Sequence, residues 1–349
     1  MSNSYKNFKN RIHTNVLGQA AFTGVGINPY YGGVETGIAY DSYEITKHCV
    51  DQNGNQPKIL MARRLNSRRV IIRSSLLPGQ TALNLGSGTG ISTLELFSQK
   101  LPASVIDIES SDGMLLVAKY KFHQDGGKSF LKSVNNKKLL RYWRWFRTES
   151  IKYKNLVTFI QDDFQTINSL KPESVDGAVA VQFMHWTNIV KSFAQLKKCL
   201  KIGGEIVWDS ASHFFNDKKF PAAKYGFRYN DFLAYVLEEV CSKGKWQAKD
   251  YRTLSKPPHS IDTIKEITAS QGLETTHLAT YLNPVDFLVF AQNHVPVFVQ
   301  QLIISKTDPE ELEKRIREAI GKAVVNPKAL KDTEHKYDIV PVFKSVKLK

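Results

Sequence analysis

The chain has 349 residues, 42% of them hydrophobic, and a formal net charge of +15. This apolar fraction is enough for a buried core and excludes a disordered chain, while the length suits one large domain or two smaller ones. No run of about 18 apolar residues is present, so a membrane-spanning helix is not expected. The N-terminus lacks the apolar stretch of a secretory signal, and the three cysteines are far apart, so a reducing cytoplasm is the expected location.

Residues 1–77 are expected to form an N-terminal helical segment. The segment begins with glycine-rich, turn-forming sequence. Two later stretches have helical character, AYDSYEITKHCVD and PKILMARRLNSRRVII.

Residues 78–210 alternate between short apolar strands and helices. The strand candidates are TALNLG, ASVIDIE, LVTFIQ, VDGAVAVQFM and GEIVWDS. Because helical stretches separate them, the connections are expected to be crossovers within a parallel, doubly wound sheet.

Residues 211–349 are predicted to supply cap helices and the closing strands of the same sheet. Helices are predicted in YNDFLAYVLEEVCSKG, SIDTIKEITASQG and TDPEELEKRIREAIGKAV. Asp308 is the predicted cap of the last one, and Pro309 is its first helical residue. TTHLATYL and KYDIVPVFKSVK bring the strand candidates to seven. The sequence therefore predicts an α/β fold on a doubly wound, mostly parallel seven-stranded sheet with helical cap insertions.

A glycine-rich loop joins the first strand candidate to the helix that follows. Gly86, Gly88 and Gly90 lie where the chain must turn sharply and where bare backbone allows a ligand to approach. Ile91 and Ser92 come next, so the G-x-G-x-x-G spacing that binds a dinucleotide pyrophosphate is absent. The loop predicts either a nucleotide-like ligand at a strand-to-helix crevice or a tight turn without a ligand.

Acidic residues follow the second and third strand candidates. Glu109 ends the second, where its carboxylate could accept hydrogen bonds from both hydroxyls of a ribose. Asp163 follows the third, where it could accept from an exocyclic amine while Phe164 covers a ring. The alternatives are a solvated acid at Glu109 and a helix cap at Asp163.

Five motifs in this order resemble the class I S-adenosylmethionine-dependent methyltransferases. They are LNLGSGTG, VIDIESSDGMLLVAK, FIQDDF, VDGAVAVQFMHW and LKKCLKIGGEIVW, and they cover about residues 80–210. The resemblance implies a Rossmann-like methyltransferase fold with S-adenosylmethionine as cofactor; no metal site is predicted. The implied cofactor-binding residues are Asn84, Gly86, Ser87, Gly88, Gly90, Glu109, Ser110, Met114, Asp162, Asp163, Phe164 and Gln182.

The resemblance also implies a role for several of these residues. The three glycines contact the methionine part of the cofactor, Glu109 binds the ribose, and Asp163 with the backbone of Phe164 binds adenine. Asn84 is a departure, because an aspartate is common at this position. Asparagine keeps an acceptor for the loop amides but loses a charge facing the cofactor's cation, which could weaken affinity.

The acceptor site is expected at the end of the fourth strand candidate, in VQFMHWTN. Gln182, His185 and Trp186 are the candidate catalytic residues there. AVQF and MHW look similar to small-molecule carboxyl methyltransferases, in which Trp and Gln donors can hold a carboxylate that needs no base. For a hydroxyl or amine acceptor, His185 becomes the candidate base. The structural alternative is that His185 and Trp186 only pack the strand end.

Methylation of a small-molecule or lipid-like acceptor is therefore the predicted function, with a carboxylate favoured. No Asn-Pro-Pro-Tyr type of motif is present, which disfavours methylation of a nucleobase amine. The alternatives left open are N-, C- or hydroxyl O-methylation of a natural product, a cofactor-binding scaffold without activity, and a cyclase. The N-terminal segment and the helices after residue 210 are the expected lid.

A basic insert lies at about residues 126–150. On a helical wheel its cations lie on one side, and an aromatic and aliphatic group lies on the other. The cations are Lys137, Lys138, Arg141, Arg144 and Arg147, and the opposite group is Leu139, Tyr142, Trp143 and Phe146. This pattern predicts contact with an anionic membrane or a lipidic substrate. The alternatives are RNA or an acidic carrier protein, and a solvated surface helix whose aromatic side packs on the domain.

Overall fold

The computed structural model describes the predicted sheet and parts of its surroundings. The described residues are 37–38, 41, 62–124, 130–131, 134, 137–184, 187–210, 236, 238–240, 247–248, 260–284, 302–303, 309–325 and 337–349.

Nine strands lie within these ranges, and seven of them form one sheet. They are β1 (Thr81–Leu85), β2 (Ser104–Glu109), β3 (Val157–Gln161), β4 (Val175–Ala180), β5 (Leu200–Asp209), β6 (Gln247–Ala248), β7 (Leu273–Pro284), β8 (Leu302–Ile303) and β9 (Tyr337–Lys347). The strand order of the large sheet is β3-β2-β1-β4-β5-β9-β7. β1 to β5 pair in parallel, whereas β9 is antiparallel to both β5 and β7. The doubly wound, mostly parallel sheet and all seven strand candidates are confirmed; the short β6–β8 pair was not predicted.

Helices cover both faces of the large sheet. They are α1 (Ala62–Ile71), α2 (Ile91–Lys100), α3 (Asp112–Lys121), α4 (Lys137–Ser150), α5 (Ile189–Cys199) and α6 (Ile261–Ser270). A further helix, α7, spans Pro309–Val325. Successive residues of a strand point to opposite faces. In β1, Ala82 packs with residues of α1 to α4, whereas Leu83 packs with residues of α5 and α6. Because both faces are covered, the parallel strands are mainly apolar, which made them recognisable in the sequence.

The helices predicted after residue 210 are present where the structure describes them. Ser260 caps α6, since its hydroxyl accepts from Thr263 N at 3.0 Å, and Gly272 follows at a φ of +74°. α7 begins at Pro309, while its predicted cap Asp308 lies outside the described residues. Of the helix predicted in YNDFLAYVLEEVCSKG, residues 236 and 238–240 are described and are helical. None of the described helices is long and apolar enough to cross a membrane.

The aromatic side of the basic insert packs on the domain. Leu139, Trp143 and Phe146 of α4 are fully buried, and Tyr142 is buried as well. The Phe146 ring meets Phe122 edge-on at a centroid distance of 5.6 Å, just after α3. This is the arrangement of the surface-helix alternative, so insertion of the aromatic side into a membrane is not available in this structure.

The cations of the insert have two different environments. Lys137, Arg141 and Arg144 are exposed, whereas the side chain of Lys138 is not described. Arg147 turns inward: its guanidinium donates to Tyr120 O and lies 4.4 Å from the Tyr120 ring centroid. Of the five predicted cations, Arg147 is thus bound by a backbone carbonyl and an aromatic ring of the protein itself.

Candidate active site

The candidate site lies at the carboxyl ends of β1 and β4, where the strand order reverses. Ligands of open α/β sheets bind in the crevice at such a reversal. The loop from Gly86 to Gly90 crosses this end of the sheet and leads into α2. The φ angles of Gly86, Gly88 and Gly90 are +60°, +57° and +84°, a region that residues with a Cβ rarely adopt. The loop thus requires glycine at the positions that the sequence analysis selected.

Gly86 also has a packing reason to be glycine. A Cβ on Gly86 would lie 2.1 Å from a ring carbon of Phe183. The Phe183 ring therefore lies directly against the loop backbone. This contact joins the loop to the segment that follows β4, from which the acceptor-site residues were predicted.

Glu109 fixes the loop through hydrogen bonds from backbone amides. Its Oε2 accepts from Gly88 N at 2.8 Å, and its Oε1 accepts from Ser111 N at 2.8 Å. Burial raises the pKa of Glu109, and hydrogen bonds from the backbone of Ser111, Gly88 and Ser110 act against that rise. A carboxylate can accept about four hydrogen bonds, so capacity for a ribose hydroxyl remains. The tie to Gly88 is a role that sequence reasoning missed.

Asn84 acts as a donor beneath the loop. Its Nδ2 donates to Asp107 Oδ1 at 2.8 Å and to Ser92 Oγ at 2.9 Å, and its buried Oδ1 has no partner within the described part of the chain. The prediction that Asn84 accepts from the loop amides is therefore corrected. The reason is the register, because Asn84 on β1 lies opposite Asp107 on β2. An aspartate at position 84 would place two carboxylates together, which is unfavourable.

Asp107 is fully buried, and burial raises its pKa to about 7, with hydrogen bonds from Thr93 and Asn84 acting against the rise. The unfolded chain binds this proton only below about pH 4. Stability from Asp107 is therefore fully present at low pH and is lost as pH rises from about 4 to 7. We expect Asp107→Asn to flatten this part of the pH profile of thermal unfolding and to add about 1–4 kcal/mol at pH 8. Identical pH slopes for the variant and the wild type would show that Asp107 is ionised throughout.

A crevice opens between the glycine loop and the end of β4. Its described lining includes Gly86, Ser87 and Gln182, and α1 contributes Asn66 and Ser67. The Ser87 hydroxyl is buried and has no hydrogen-bond partner within the described ranges. A buried hydroxyl without a partner is unfavourable, so this atom is consistent with a polar ligand in the crevice.

The predicted adenine side is only partly as expected. Asp163 Oδ1 accepts from Gln165 N at 3.0 Å and from Gln165 Nε2 at 3.0 Å, so this carboxylate stabilises a local turn, close to the capping alternative. Asp162 Oδ1 accepts from Asp163 N at 2.7 Å. The Phe164 side chain is 1% exposed and packs in the core below β1 and β2. The prediction that Phe164 covers a ring is therefore wrong, because its ring belongs to the core, and only its backbone remains for adenine.

The two remaining predicted cofactor residues lie at the start of α3. Ser110 is half-buried, and its backbone amide binds Glu109. Met114 is buried, and its N donates to Ser111 Oγ at 3.2 Å, which caps α3. Ser110 thus binds Glu109 directly, whereas Met114 is linked to it only through Ser111, whose N donates to Glu109.

Gln182 is held in an unusual backbone conformation by a residue that the sequence analysis missed. Its φ is +52°, which ends β4 at Ala180. Its backbone N donates to Asp209 Oδ1, and its Nε2 donates to Asp209 Oδ2 at 3.1 Å. Asp209 is fully buried at the end of β5, the parallel neighbour of β4. The pairing of β4 with β5 was the signal from which a contact between Asp209 and Gln182 could have been expected.

The other two predicted catalytic residues, His185 and Trp186, lie outside the described residues.

Comparisons with known proteins match the part of the chain that carries the candidate site. Residues 83–208 match the family model of a methyltransferase domain. The cyclopropane synthase MmaA2 from Mycobacterium tuberculosis is similar at a TM-score of 0.52 and 14% identity, over 90% of this chain and 96% of that chain. The YcgJ protein from Bacillus subtilis is similar at a TM-score of 0.49 and 12% identity, over 82% of this chain and 99% of that one. Phosphoethanolamine N-methyltransferase 2 from Haemonchus contortus is similar at a TM-score of 0.45 and 14% identity, over 90% of this chain and 57% of that chain. No curated protein matches the chain significantly.

The matched range has a clear meaning on the structure. It begins within β1 and ends within β5, so it contains the glycine loop, Glu109 and Gln182. The likeness to MmaA2 supports the same fold, and the matched domain supplies the activity and the cofactor. Residues 83–208 therefore form a methyltransferase domain, and S-adenosylmethionine is the cofactor of that domain.

Proposed function

We propose that the enzyme transfers a methyl group to a carboxylate of a small molecule. The observation that carries this proposal is the lining of the crevice. Its described residues are Asn66, Ser67, Gly86, Ser87, Ile91, Ser92, Val181 and Gln182, and none of these has an ionisable side chain. A carboxylate is already ionised at neutral pH, so it needs hydrogen-bond donors and not a base. Hydroxyl and amide groups can supply those donors.

The described residues fit the cofactor that this reaction needs. S-adenosylmethionine supplies a methyl group on a positively charged sulfur. In this proposal the bare backbone of Gly86, Gly88 and Gly90 admits its methionine part. The hydroxyl of Ser87 gains a hydrogen-bond partner, which it does not have among the described residues. Glu109 accepts from the ribose with its remaining capacity. Asp163 and the backbone of Phe164 are proposed for adenine.

Gln182 is proposed to orient the acceptor. Because Nε2 donates one hydrogen to Asp209 Oδ2, the amide cannot turn over without losing that bond. Its second N–H is then free to donate to a carboxylate oxygen of the substrate. Methyl transfer is an in-line displacement, so its rate depends on this alignment and on the exclusion of water. Trp186 remains a predicted second donor.

Methyl-labelled S-adenosylmethionine tests the proposal in two steps. Wild-type enzyme is incubated with the small-molecule fraction of a cell extract, and labelled products are then treated with mild alkali. A methyl ester releases its label as methanol, and this is the expected result. Alkali-stable label would indicate a hydroxyl oxygen, a nitrogen or a carbon as the acceptor. No transfer at all would favour a scaffold, or a cyclase that does not transfer the methyl carbon.

His185→Gln separates the acceptor classes further. With a carboxylate acceptor, we expect kcat to fall by less than about tenfold, because no proton has to be removed. With a hydroxyl or amine acceptor, loss of the base would lower kcat by about 10²–10⁴-fold. The measurement is kcat with the purified substrate, and the larger loss would contradict a carboxylate acceptor.

Contact of the insert with an anionic lipid or lipidic substrate stays a prediction. Since the aromatic side of α4 is buried, such contact would depend on its cations, of which Lys137, Arg141 and Arg144 are described as exposed.

A further inference from the structure

A buried carboxylate of the N-terminal segment contacts the glycine loop. Asp41 is fully buried, and its Oδ1 accepts from the hydroxyl of Thr89 at 2.5 Å. Its Oδ2 accepts from Lys121 Nζ at 2.9 Å and from Trp143 Nε1 at 2.6 Å. The side chains of Thr89, Lys121 and Trp143 are fully buried too.

These four residues come from distant parts of the chain. Thr89 lies between Gly88 and Gly90, Lys121 ends α3, and Trp143 belongs to the basic insert. Asp41 precedes Thr89 by 48 residues. The N-terminal segment, α3 and the insert thus meet at one carboxylate beneath the loop.

The two carboxylate oxygens of Asp41 have different hydrogen-bond partners, and only Oδ1 binds the loop. Lys121 neutralises the charge of Asp41, which is necessary because an unpaired buried charge is strongly unfavourable. Lys121 and Trp143 together hold Oδ2, so the carboxylate is oriented without any help from the loop. Oδ1 is then a fixed acceptor for Thr89.

The loop needs such a fixed point. Glycine adopts many backbone conformations, and Gly88 and Gly90 flank Thr89 on both sides. The bond from Thr89 to Asp41 anchors the one side chain between these two glycines. A hydrogen bond to a charged acceptor is among the stronger ones in proteins.

We propose that Asp41 is a positioning residue for the cofactor loop. Through Thr89 it holds Gly88 and Gly90 in the conformation that binds the cofactor, and it thereby couples the N-terminal segment to cofactor affinity. This inference rests on the proposed role of the loop in cofactor binding. Because coupling is reciprocal, the bound cofactor also favours the contact between Asp41 and the loop.

Thr89→Val tests the proposal, because it removes the hydroxyl and leaves no buried charge unpaired. We expect the Kd for S-adenosylhomocysteine, measured by isothermal titration calorimetry, to rise about tenfold. Thr89→Ser restores the hydroxyl and should bring the Kd within about twofold of the wild type. Thr268→Val is the matched control, since Thr268 is a fully buried threonine far from the loop whose hydroxyl donates to Lys265 O at 3.0 Å. It should lower the melting temperature and leave the Kd unchanged.

Other outcomes would distinguish the role of Asp41 from the location of the cofactor site. Wild-type binding together with an unchanged Kd for Thr89→Val, or an equally weak Thr89→Ser, would overturn the role of Asp41 alone. Failure of the wild type to bind S-adenosylhomocysteine would overturn the cofactor site and this inference together.

Hydrogen exchange of the wild type decides the matter if Thr89→Val does not fold. By reciprocity, S-adenosylhomocysteine should slow amide exchange in peptides that contain residue 41 as well as in those that contain residues 86–90. Slowing confined to the loop would overturn the proposal.

Discussion

Replacement of Gly86 by alanine is expected to weaken S-adenosylhomocysteine binding by at least about 30-fold. Two separate effects act on this residue. A left-handed backbone costs a residue with a Cβ about 1–2 kcal/mol, and the φ of Gly86 is +60°. In addition, the new Cβ would lie 2.1 Å from a ring carbon of Phe183, and such overpacking costs typically about 1–3 kcal/mol. Isothermal titration calorimetry measures the loss of binding, and thermal unfolding shows whether the variant is folded.

Phe183 cannot simply move away from the new methyl group. It follows Gln182, whose backbone and side-chain amides are both held by the buried carboxylate of Asp209. Movement of the ring therefore strains a fixed backbone. Gly86→Ala combined with Phe183→Ala should recover part of the binding, because it removes the steric overlap and keeps the backbone strain.

Gly79→Ala is the matched control for Gly86→Ala. Gly79 has a φ of +85°, but a Cβ there would meet no atom within 4 Å. We expect this variant to lose about 1–2 kcal/mol of stability and to bind S-adenosylhomocysteine as the wild type does. If Gly86→Ala behaves like Gly79→Ala, the packing of Phe183 on the loop does not constrain the site.

The sheet could be predicted from the sequence because its strands are buried on both faces. Ala82 and Leu83 pack into the cores on opposite faces of the sheet, and both are apolar. β1 is therefore recognisable in the sequence as a short apolar stretch. The pair of β6 and β8 could not be predicted in the same way. Each has two residues, which is too short for any periodicity to appear.

The conformation of the glycine loop could be predicted from the sequence, but the side-chain contacts around it could not. Glycines at sharp turns are recognisable in the sequence, and all three glycines of the loop have a positive φ. The direction of a side chain at a strand end is not recognisable, which is why Phe164 was expected beside a ligand and is found in the core. The role of Asn84 depends on the partner across the parallel register, Asp107, and that register appears only when the strands are aligned.

The insert shows a further limit of sequence patterns. An amphipathic helix with aromatic residues on one side looks the same whether that side faces a membrane or the protein core. Trp143 resolves this point in the structure, because its indole Nε1 donates to Asp41 at 2.6 Å in the interior. Asp41 and Trp143 are 102 residues apart in sequence, so no local pattern could have joined them.

Lys121→Met is expected to destabilise the protein by about 3–5 kcal/mol. The wild-type ion pair between Lys121 and Asp41 is 2.9 Å long, and both side chains are fully buried. Methionine retains much of the side-chain volume, and it can still pack near the Phe146 ring that Lys121 Nζ approaches to 4.1 Å. The loss therefore reflects the uncompensated charge of Asp41 more than a cavity. Chemical denaturation at neutral pH measures the free energy of unfolding.

Lys201→Met provides the matched control, because it breaks an ion pair of 2.6 Å between Lys201 and Asp176 in which the lysine side chain is 50% exposed. Exposed pairs contribute about 0–1 kcal/mol, so this variant should unfold almost as the wild type does. Asp41→Asn combined with Lys121→Met should lose less stability than the sum of the two single variants, since neither charge is then left alone. A loss for Lys121→Met as small as that for Lys201→Met would mean that water reaches Asp41 in solution. The carboxylate would then be too weakly held to fix Thr89, and the loop would need another anchor.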